Sequence, residues 1–433
     1  MASSRKCPSS KLAGRVGECL ARLHVSSGTR VCVGLSGGLD SVVLLHLLAQ
    51  WRATHGFFLS AVHVHHGLSP NADAWGEAAR GLATALGVPC RVERVRVDAR
   101  VLGIEAAARA ARYAAFESLD AEVLCLGHHR DDQAETVLMN ALRGNGLGGL
   151  AAMPECRALT PALQLLRPLL DVPRSVLRDY ADLHALTWVD DESNADTRFT
   201  RNFLRHQILP PLLQRDPGVV ASLARLAGQA AEADALLCDL AELDLATCVV
   251  DGAFDLAVSA GLSERRRRNA LRHWLAGVGI VADARAFDAF VLQLGAAADA
   301  QPELRWRSRR VRRYRQRLYP VPAVRFDLVI DVEPGVTVET PLGRLAWVRG
   351  EGIAESAAGR WQLRPRTGGE RLRLRADGPT RPLKQLYQEA GVPPWLREAM
   401  PLLYCDETLA AVPGVGIAIE FKGEGWLPLW QPA

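Results

Sequence analysis

No two cysteines in this chain stand as Cys-x-x-Cys, although nine are scattered along its 433 residues. That absence excludes the usual zinc-knuckle and dithiol centres. Cys32 and Cys125, inside apolar runs, read as reduced core thiols of a cytoplasmic protein. No apolar run approaches a membrane span in length, so no membrane partner is expected. Arg5, Lys6 and Lys11 near the start precede no apolar segment, which argues against a secretory signal. Lysine is scarce: the basic side chains are almost all arginine, and the formal net charge is only +4. Internal repeats and low-complexity tracts are missing too. What remains is a chain long enough for two or three domains with substantial cores.

Two nucleotide signatures are also absent, the Gly-x-x-x-x-Gly-Lys-Ser/Thr loop and the dinucleotide fingerprint. A different phosphate-binding pattern is present: Val31-Cys-Val-Gly-Leu-Ser36-Gly37-Gly38-Leu39-Asp40-Ser41-Val-Val-Leu-Leu-His46. A β-branched run ends in a Ser-Gly-Gly turn and an apolar segment follows, which reads as a strand, a tight loop and a helix N-terminus. Gly37 and Gly38 let backbone N–H groups approach an anion, and Ser36 and Ser41 add hydroxyl donors. Asp40 would repel a polyphosphate unless a divalent cation stood between them. The loop, with Leu39 inside it, therefore implies Mg²⁺ as well as a nucleotide. A turn that merely joined strand to helix would need neither two serines nor an aspartate.

The first part of the chain alternates apolar runs of the two periods, with strands expected at 31–35, 57–65, 90–97 and 122–127. Helices are expected between them at 41–51, 72–86 and 105–119. Repeated βαβ units predict a parallel sheet with helices on both faces, whose ligands bind at the carboxyl ends of the strands. Polar clusters do follow the strands. His63-Val-His65-His66 closes the second; adjacent strand residues point to opposite faces, so one histidine lining the nucleotide pocket is expected in preference to a metal pair. After the fourth comes His128-His129-Arg130-Asp131-Asp132-Gln133-Ala134-Glu135-Thr136. If this segment opens a helix, His128, Asp132 and Glu135 share one face. Asp132 could then hold Mg²⁺ with Asp40, and the stripe could supply a general base. Acidic residues favour any helix start, which explains Asp131 or Asp132 but not the stripe. On the preceding helix Glu105, Arg109, Arg112 and Tyr113 lie along one side, read either as a Glu105–Arg109 surface ion pair or as arginines aimed at ATP or substrate phosphate.

The Ser-Gly-Gly-x-Asp-Ser loop resembles that of the N-type ATP pyrophosphatases, and within them the chain is similar to the tRNA(Ile)-lysidine synthetases. The matching segments are Leu35-Ser-Gly-Gly-Leu-Asp-Ser41, His63-Val-His-His-Gly-Leu-Ser69, Ala108-Arg-Ala-Ala-Arg-Tyr113 and Gly127-His-His-Arg-Asp-Asp-Gln-Ala-Glu-Thr136. Further on stand Arg143-Gly-Asn-Gly-Leu-Gly-Gly-Leu150, Arg167-Pro-Leu-Leu170, Asp190-Asp-Glu-Ser-Asn194 and Arg201-Asn-Phe-Leu-Arg205. The resemblance implies an α/β architecture: a Rossmann-like ATP-pyrophosphatase domain at 1–215, a small helical tRNA-contacting domain at 216–320, a linker or small β segment at 321–359, and an α+β tRNA-binding domain at 360–433. It implies a ligase that joins free L-lysine to carbon 2 of the wobble cytidine of a CAU-anticodon tRNA(Ile). ATP first adenylates the cytidine O2 with loss of pyrophosphate, and the lysine ε-amine then displaces AMP. ATP and Mg²⁺ are the implied cofactors, and a monomer or homodimer the implied state. The implied catalytic set is Asp40, Arg109, His128, Asp132, Glu135 and Arg205, where Asp132 or Glu135 takes the amine's proton, His128 relays it and Arg205 contacts phosphate. Asp190, Asp191 and Glu192 are acidic candidates for the substrate amine.

Beyond Pro210-Pro211 the pattern becomes helical, with helices expected at 219–245, 263–276 and 283–294. The run at 305–319 then interleaves Arg305, Arg309, Arg312 and other arginines with Trp306, Tyr314 and Tyr319. Such a run can pair phosphates and stack bases, so it is expected to touch RNA. Short alternating runs at 326–332 and 336–340 suggest a hairpin or small sheet. The segment from Trp361 resembles the C-terminal domain of the longer lysidine synthetases, in which Arg364 and Lys384 are expected to face the tRNA. Two other classes stand against this reading: a tRNA thiolase, which would use the missing Cys-x-x-Cys, and an ATP-gated RNA-binding module.

Overall fold

The structure, a computed structural model of the chain, describes residues 8–67, 69–97, 104–189, 196–295, 302–321, 326–340 and 342–432. The chain divides into two compact units, Met1–Leu236 and Leu237–Ala433.

The first unit opens with α1 (Pro8–Arg22) and continues through β1 (Arg30–Gly34), α2 (Leu39–His55), β2 (Phe58–His65), α3 (Ala72–Ala85), β3 (Cys90–Arg94), α4 (Ile104–Glu117) and β4 (Val123–Leu126). After these come α5 (Arg130–Leu142), α6 (Leu147–Leu150), β5 (Cys156–Thr160), β6 (Leu163–Leu166) and α7 (Arg174–Leu183). The strands form one six-stranded sheet in the order β3-β2-β1-β4-β6-β5, parallel except for the edge pair β5–β6. The period of two sorts the strand side chains. Val31 and Val33 of β1, with Val123 and Cys125 of β4, enter a core shared with α1, α2 and α7. Cys32, Leu124 and Leu126 point the other way, into a core with Phe116 of α4. Both faces are thus buried, which is why these strands read as unbroken apolar runs. α2 ends where Gly56 takes a left-handed φ of 70° and its N–H bonds the Arg52 carbonyl. The cysteines among the described residues are all free.

The expected strands and helices of this unit form, to within a few residues at their ends. One placement differs. Helix α5 starts at Arg130 with His129 as its extended N-cap, so His128 lies ahead of the helix and not on its face.

After β6 and α7 the chain makes α8 (Thr200–Phe203), a π-helical turn (Leu204–Ile208), α9 (Leu209–Arg215) and the long α10 (Val219–Cys248), which runs into the second unit. There α12 (Glu264–Gly277) and α13 (Ala284–Leu294) follow β7 (Val249–Val250), β8 (Ala253–Asp255) and the single turn α11 (Leu256–Ser259). Ser263 and Asp283 cap α12 and α13 with their side chains. The three helices expected here exist, but they pack on a five-stranded sheet, so the region is mixed and not purely helical. The arginine run supplies three of its strands, β9 (Glu303–Trp306), β10 (Arg309–Tyr314) and β11 (Arg317–Pro320). Leu304, Val311 and Leu318 turn inward together with Arg313, whose guanidinium donates to the Arg315 and Leu294 carbonyls, and Arg305, Arg307 and Arg309 are exposed.

The short runs at 326–332 and 336–340 do not pair as a hairpin. β12 (Ile330–Val332) joins β15 (Trp361–Arg364), whereas β13 (Val338–Thr340) joins β14 (Gly343–Ala354) in a separate sheet. β13 pairs with the strand that directly follows it, Thr340 opposite Gly343, whereas β12 pairs further along the chain, so both runs lie in small sheets. The last region adds α14 (Leu383–Glu389) over a core of Leu372, Leu383, Leu386 and Tyr387.

Candidate active site

The order of the sheet reverses at β1, whose two parallel neighbours are β2 and β4. The segments leaving the carboxyl ends of β1 and β4 therefore open side by side, the crevice where such sheets hold ligands. Ser36, Gly37, Gly38, Leu39, Asp40 and Ser41 leave β1 here, and His128, His129 and Asp132 leave β4.

The loop is held by its own hydroxyls. Ser41 Oγ donates to the Gly38 carbonyl at 2.9 Å and lies 3.1 Å from Ser36 Oγ, while the Gly38 N–H donates to Ser36 Oγ at 3.3 Å. Gly37 adopts φ 89°, a conformation that other residues enter only with strain. Gly127 serves a different end: a Cβ there would lie 2.9 Å from the Asp40 backbone carbonyl, so only glycine lets the β4 segment approach the loop this closely. The Leu39 side chain is buried in the core, leaving only its backbone for a ligand. Asp40 stands in the first turn of α2, partly exposed, with Oδ2 3.5 Å from His129 Nε2 and Oδ1 3.8 Å from Arg174 Nε. Oδ1 is buried without a hydrogen-bond partner.

Asp132 and Glu135 are one helical turn apart on α5 and both buried. Their oxygens are taken by two arginines four residues apart. Arg201 donates Nε to Glu135 and Nη2 to Asp132, each at 2.7 Å. Arg205 donates Nε to Glu135 at 2.6 Å and Nη2 to Asp132 at 3.1 Å. The π-helical turn begins at Leu204, whose carbonyl accepts the Leu209 N–H, and so it contains Arg205. Asp132 also accepts the His129 backbone N–H at 3.0 Å and sits 3.5 Å from its ring. Burial works against the charge on Asp132, but His129, Arg201 and His128 outweigh it and hold the carboxyl far below the usual range. Burial likewise opposes the charge on His129, yet Asp132 and Asp40 prevail and raise it above the ordinary imidazole value. His128 goes the other way. Burial, reinforced by Arg167, Arg201 and Arg112, pushes it down to about 3, so it is a neutral ring with an unpartnered Nδ1.

The structure therefore brings together Asp40, Asp132, Glu135 and Arg205 of the expected set, with His128 at the edge. Arg109 is exposed and stacks over Tyr113, 5.1 Å from the ring centroid; no contact joins it to the carboxylates. Arg112 is the residue of that helix whose charge reaches His128 and Arg201. Sequence reasoning missed His129 and Arg201, although the spacing of Arg201 and Arg205 announces two guanidiniums on one helical side. His63 Nδ1 contacts the Leu35 carbonyl at 2.9 Å and His65 Nε2 contacts Asp73 at 3.1 Å; His66 remains with a buried, unpartnered Nδ1. Asp190, Asp191 and Glu192, and the side chain of Glu105, lie outside the described residues. No cluster of three or more His, Cys, Asp or Glu suited to a metal occurs among the described residues. Asp40, with an orphaned buried oxygen, fits a cation. Asp132, with both oxygens engaged, fits one only if an arginine withdraws.

Of the cations expected to face RNA, Arg305 and Arg312 both pair with Glu303, and Arg364 pairs with Glu407. Arg309 and Lys384 are exposed and make no ion pair among the described residues. Part of the aromatic interleaving has an internal use: Tyr314 meets Trp395 edge-on at 6.1 Å, and Arg312 lies 5.4 Å from the same ring. Arg315 donates to the Gln388 carbonyl at 3.3 Å beside them.

Residues 8–212 match the PP-loop domain family, residues 254–319 the TilS substrate binding domain, and residues 361–430 the TilS substrate C-terminal domain. Relatives match along nearly the whole chain. A tRNA(Ile)-lysidine synthase of Ralstonia nicotianae is 44% identical over 98% of this chain and 97% of its own. Those of Chromobacterium violaceum and Alkalilimnicola ehrlichii are 44% and 45% identical, each over 93% of this chain and 95% and 93% of their own.

Proposed function

The chain belongs to the tRNA(Ile)-lysidine synthase family, a carbon–nitrogen ligase built on a PP-loop ATP-pyrophosphatase domain, and from that premise we propose how its residues divide the work. The observation that carries the proposal is the convergence of the 36–41 loop with Asp132 and His129 at the switch point between β1 and β4.

The substrates are ATP, free L-lysine and a tRNA(Ile) with a CAU anticodon. The loop serines and the α2 N-terminus receive the triphosphate, donating to the oxygens that become pyrophosphate. Asp40 would hold Mg²⁺, which when bound neutralises phosphate charge and polarises the phosphoryl group. The cytidine O2 attacks the α-phosphorus; the bond to the β-phosphate oxygen breaks and pyrophosphate departs. Carbon 2 is then electrophilic. The ε-amine attacks it, the carbon–oxygen bond breaks, and AMP leaves with the former O2. An attacking amine must lose its proton, and free lysine is almost wholly protonated at neutral pH. Asp132 and Glu135 are the acceptors offered. Arg201 and Arg205 hold them in place until the ammonium of the substrate competes for the same oxygens. Neutral His128 can take a hydrogen bond through its free Nδ1 and relay the proton. His129 bridges the two halves, fixing Asp40 against Asp132.

Of the cations expected to face RNA, Arg309 and Lys384 make no ion pair among the described residues and are assigned to tRNA, and we assign the protein to the cytoplasm as a monomer or homodimer. The thiolase alternative has no Cys-x-x-Cys to carry sulfur, and the curated relatives bear a different name. The test is to incubate the protein with ATP, radiolabelled lysine and a CAU-anticodon tRNA. Label should enter the RNA only with ATP present; ATP binding without lysine incorporation would favour the nucleotide-gated module.

A further inference from the structure

Tyr113 on α4 is the centre of a cation cluster that the reaction described above does not use. Arg109 lies 5.1 Å from its ring centroid, and Arg157, on the edge strand β5, lies 5.3 Å from it. Arg167 stands beneath, just after β6. It is 2% exposed, donates Nη1 to the Pro154 carbonyl at 2.7 Å, and has a buried Nε without any partner. Among the described residues no carboxylate forms an ion pair with any of the three. By contrast, Arg201 and Arg205 are neutralised by Asp132 and Glu135.

Three guanidiniums around one phenol repel each other, and a buried one such as Arg167 also loses hydration. Both penalties are relieved by an anion placed among them, and a guanidinium fork suits a phosphate. The Tyr113 hydroxyl already responds to that field: burial would raise it, but Arg109, Arg167 and a hydrogen bond from Arg157 draw it below its ordinary value. The cluster is open to solvent through Arg109 and Arg157, and Arg167 is close enough to His128 to depress it. An anion here would therefore sit on the surface immediately beside the catalytic pocket. That position suits a polymer entering from solvent better than a small substrate enclosed in the crevice.

We propose that Arg109, Arg157 and Arg167, gathered around Tyr113, hold a backbone phosphate of the single-stranded RNA segment next to the nucleotide being modified. The inference rests on the lysidine-forming reading of the neighbouring crevice. The cluster would then aim the target base into the pocket, with Tyr113 as a rigid post that keeps the guanidiniums apart.

Arg157 is the residue to change, because it is exposed and outside the nucleotide loop and the carboxylate pair. Binding of the CAU-anticodon tRNA to the full-length protein is measured against salt for wild type, Arg157→Ala and Arg157→Lys. Arg157→Ala should weaken tRNA binding and flatten the slope of log affinity against log salt by about 0.7, the value for one lost contact to a single strand. Arg157→Lys should keep the slope. The KM values for ATP and for lysine should not move, and an unchanged melting temperature would show the fold intact. An unaltered slope in Arg157→Ala overturns the inference, and so does a raised ATP KM with normal tRNA binding, which would make the anion a nucleotide phosphate. Failure of the wild-type protein to attach lysine would instead defeat the reading of the crevice, whatever the slopes show.

Discussion

Arg201 does the most for the site while sitting on none of the expected catalytic positions. Asp132 and Glu135 are buried together, a costly arrangement unless both charges are matched and hydrogen bonded. Arg201 and Arg205 supply that match with five hydrogen bonds between 2.6 and 3.1 Å. Removing one arginine leaves the pair short of a cation in a dry place. Arg201→Ala should therefore lower unfolding stability by about 3 kcal/mol, read from urea melts, and abolish lysine transfer. Arg201→Lys should not restore either, since an ammonium cannot span both carboxylates as the fork does. The sequence announced the carboxylates through their helical spacing and the loop through its serines and aspartate. It did not announce that His129, the second of two identical neighbours, and not His128, would face Asp40. That choice depends on where α5 begins, and the extended backbone at the N-cap turns adjacent side chains apart.

Among the elements, periodicity was legible wherever a segment buried its own face locally. β1, α2, β2, α3 and β4 formed where the apolar pattern placed them, because strands buried on both faces read as unbroken apolar runs whatever their partners. The runs at 330–332 and 338–340 do become strands of small sheets, but which strands they pair with was not legible: 338–340 pairs with the strand just after it and 330–332 with one further along. The arginine run at 305–319 was not legible as three strands, because charge dominates its composition and one inward position, Arg313, is itself an arginine beside Leu304, Val311 and Leu318. One short element depends on a single side chain. Asp255 caps α11, accepting the N–H of Ala257 at 3.0 Å and of Val258 at 3.1 Å, and it takes Arg317 Nε at 3.1 Å. Burial would raise its pKa, but the Val258 N–H and Arg317 outweigh burial and lower it. A carboxylate depressed on folding stabilises the fold fully above its unfolded pKa, about 4, and loses that contribution as pH falls through the lower folded value. Asp255→Ala should cost about 1–2 kcal/mol near neutral pH, the usual range for a lost cap, and the deficit should shrink on acidification. Thermal melts followed across that range would check it; a deficit independent of pH would show that the charge of Asp255 plays no part.

At the scale of the whole molecule, the change of motifs and composition along the chain was legible, and three stretches of it match family models in turn. How free each arginine would be for RNA was not. Arginine outnumbers lysine greatly, yet many arginines close ion pairs inside their own domain, as Arg305, Arg312 and Arg364 do. Lys384, exposed on α14 and without an ion pair among the described residues, is the cation we propose for tRNA docking. Lys384→Glu should raise the KM for tRNA and leave the KM for ATP unchanged, measured by steady-state lysine incorporation. Equal losses in both would place its effect on the fold.

The central claim is that the pocket around residues 36–41 cleaves ATP between its α- and β-phosphates to activate a nucleobase. It is tested most directly by identifying the nucleotide products by phosphorus NMR, with the CAU-anticodon tRNA and lysine present. The account predicts AMP and pyrophosphate, formed only when that RNA is included and lost in Asp40→Asn. Appearance of ADP and orthophosphate would contradict it.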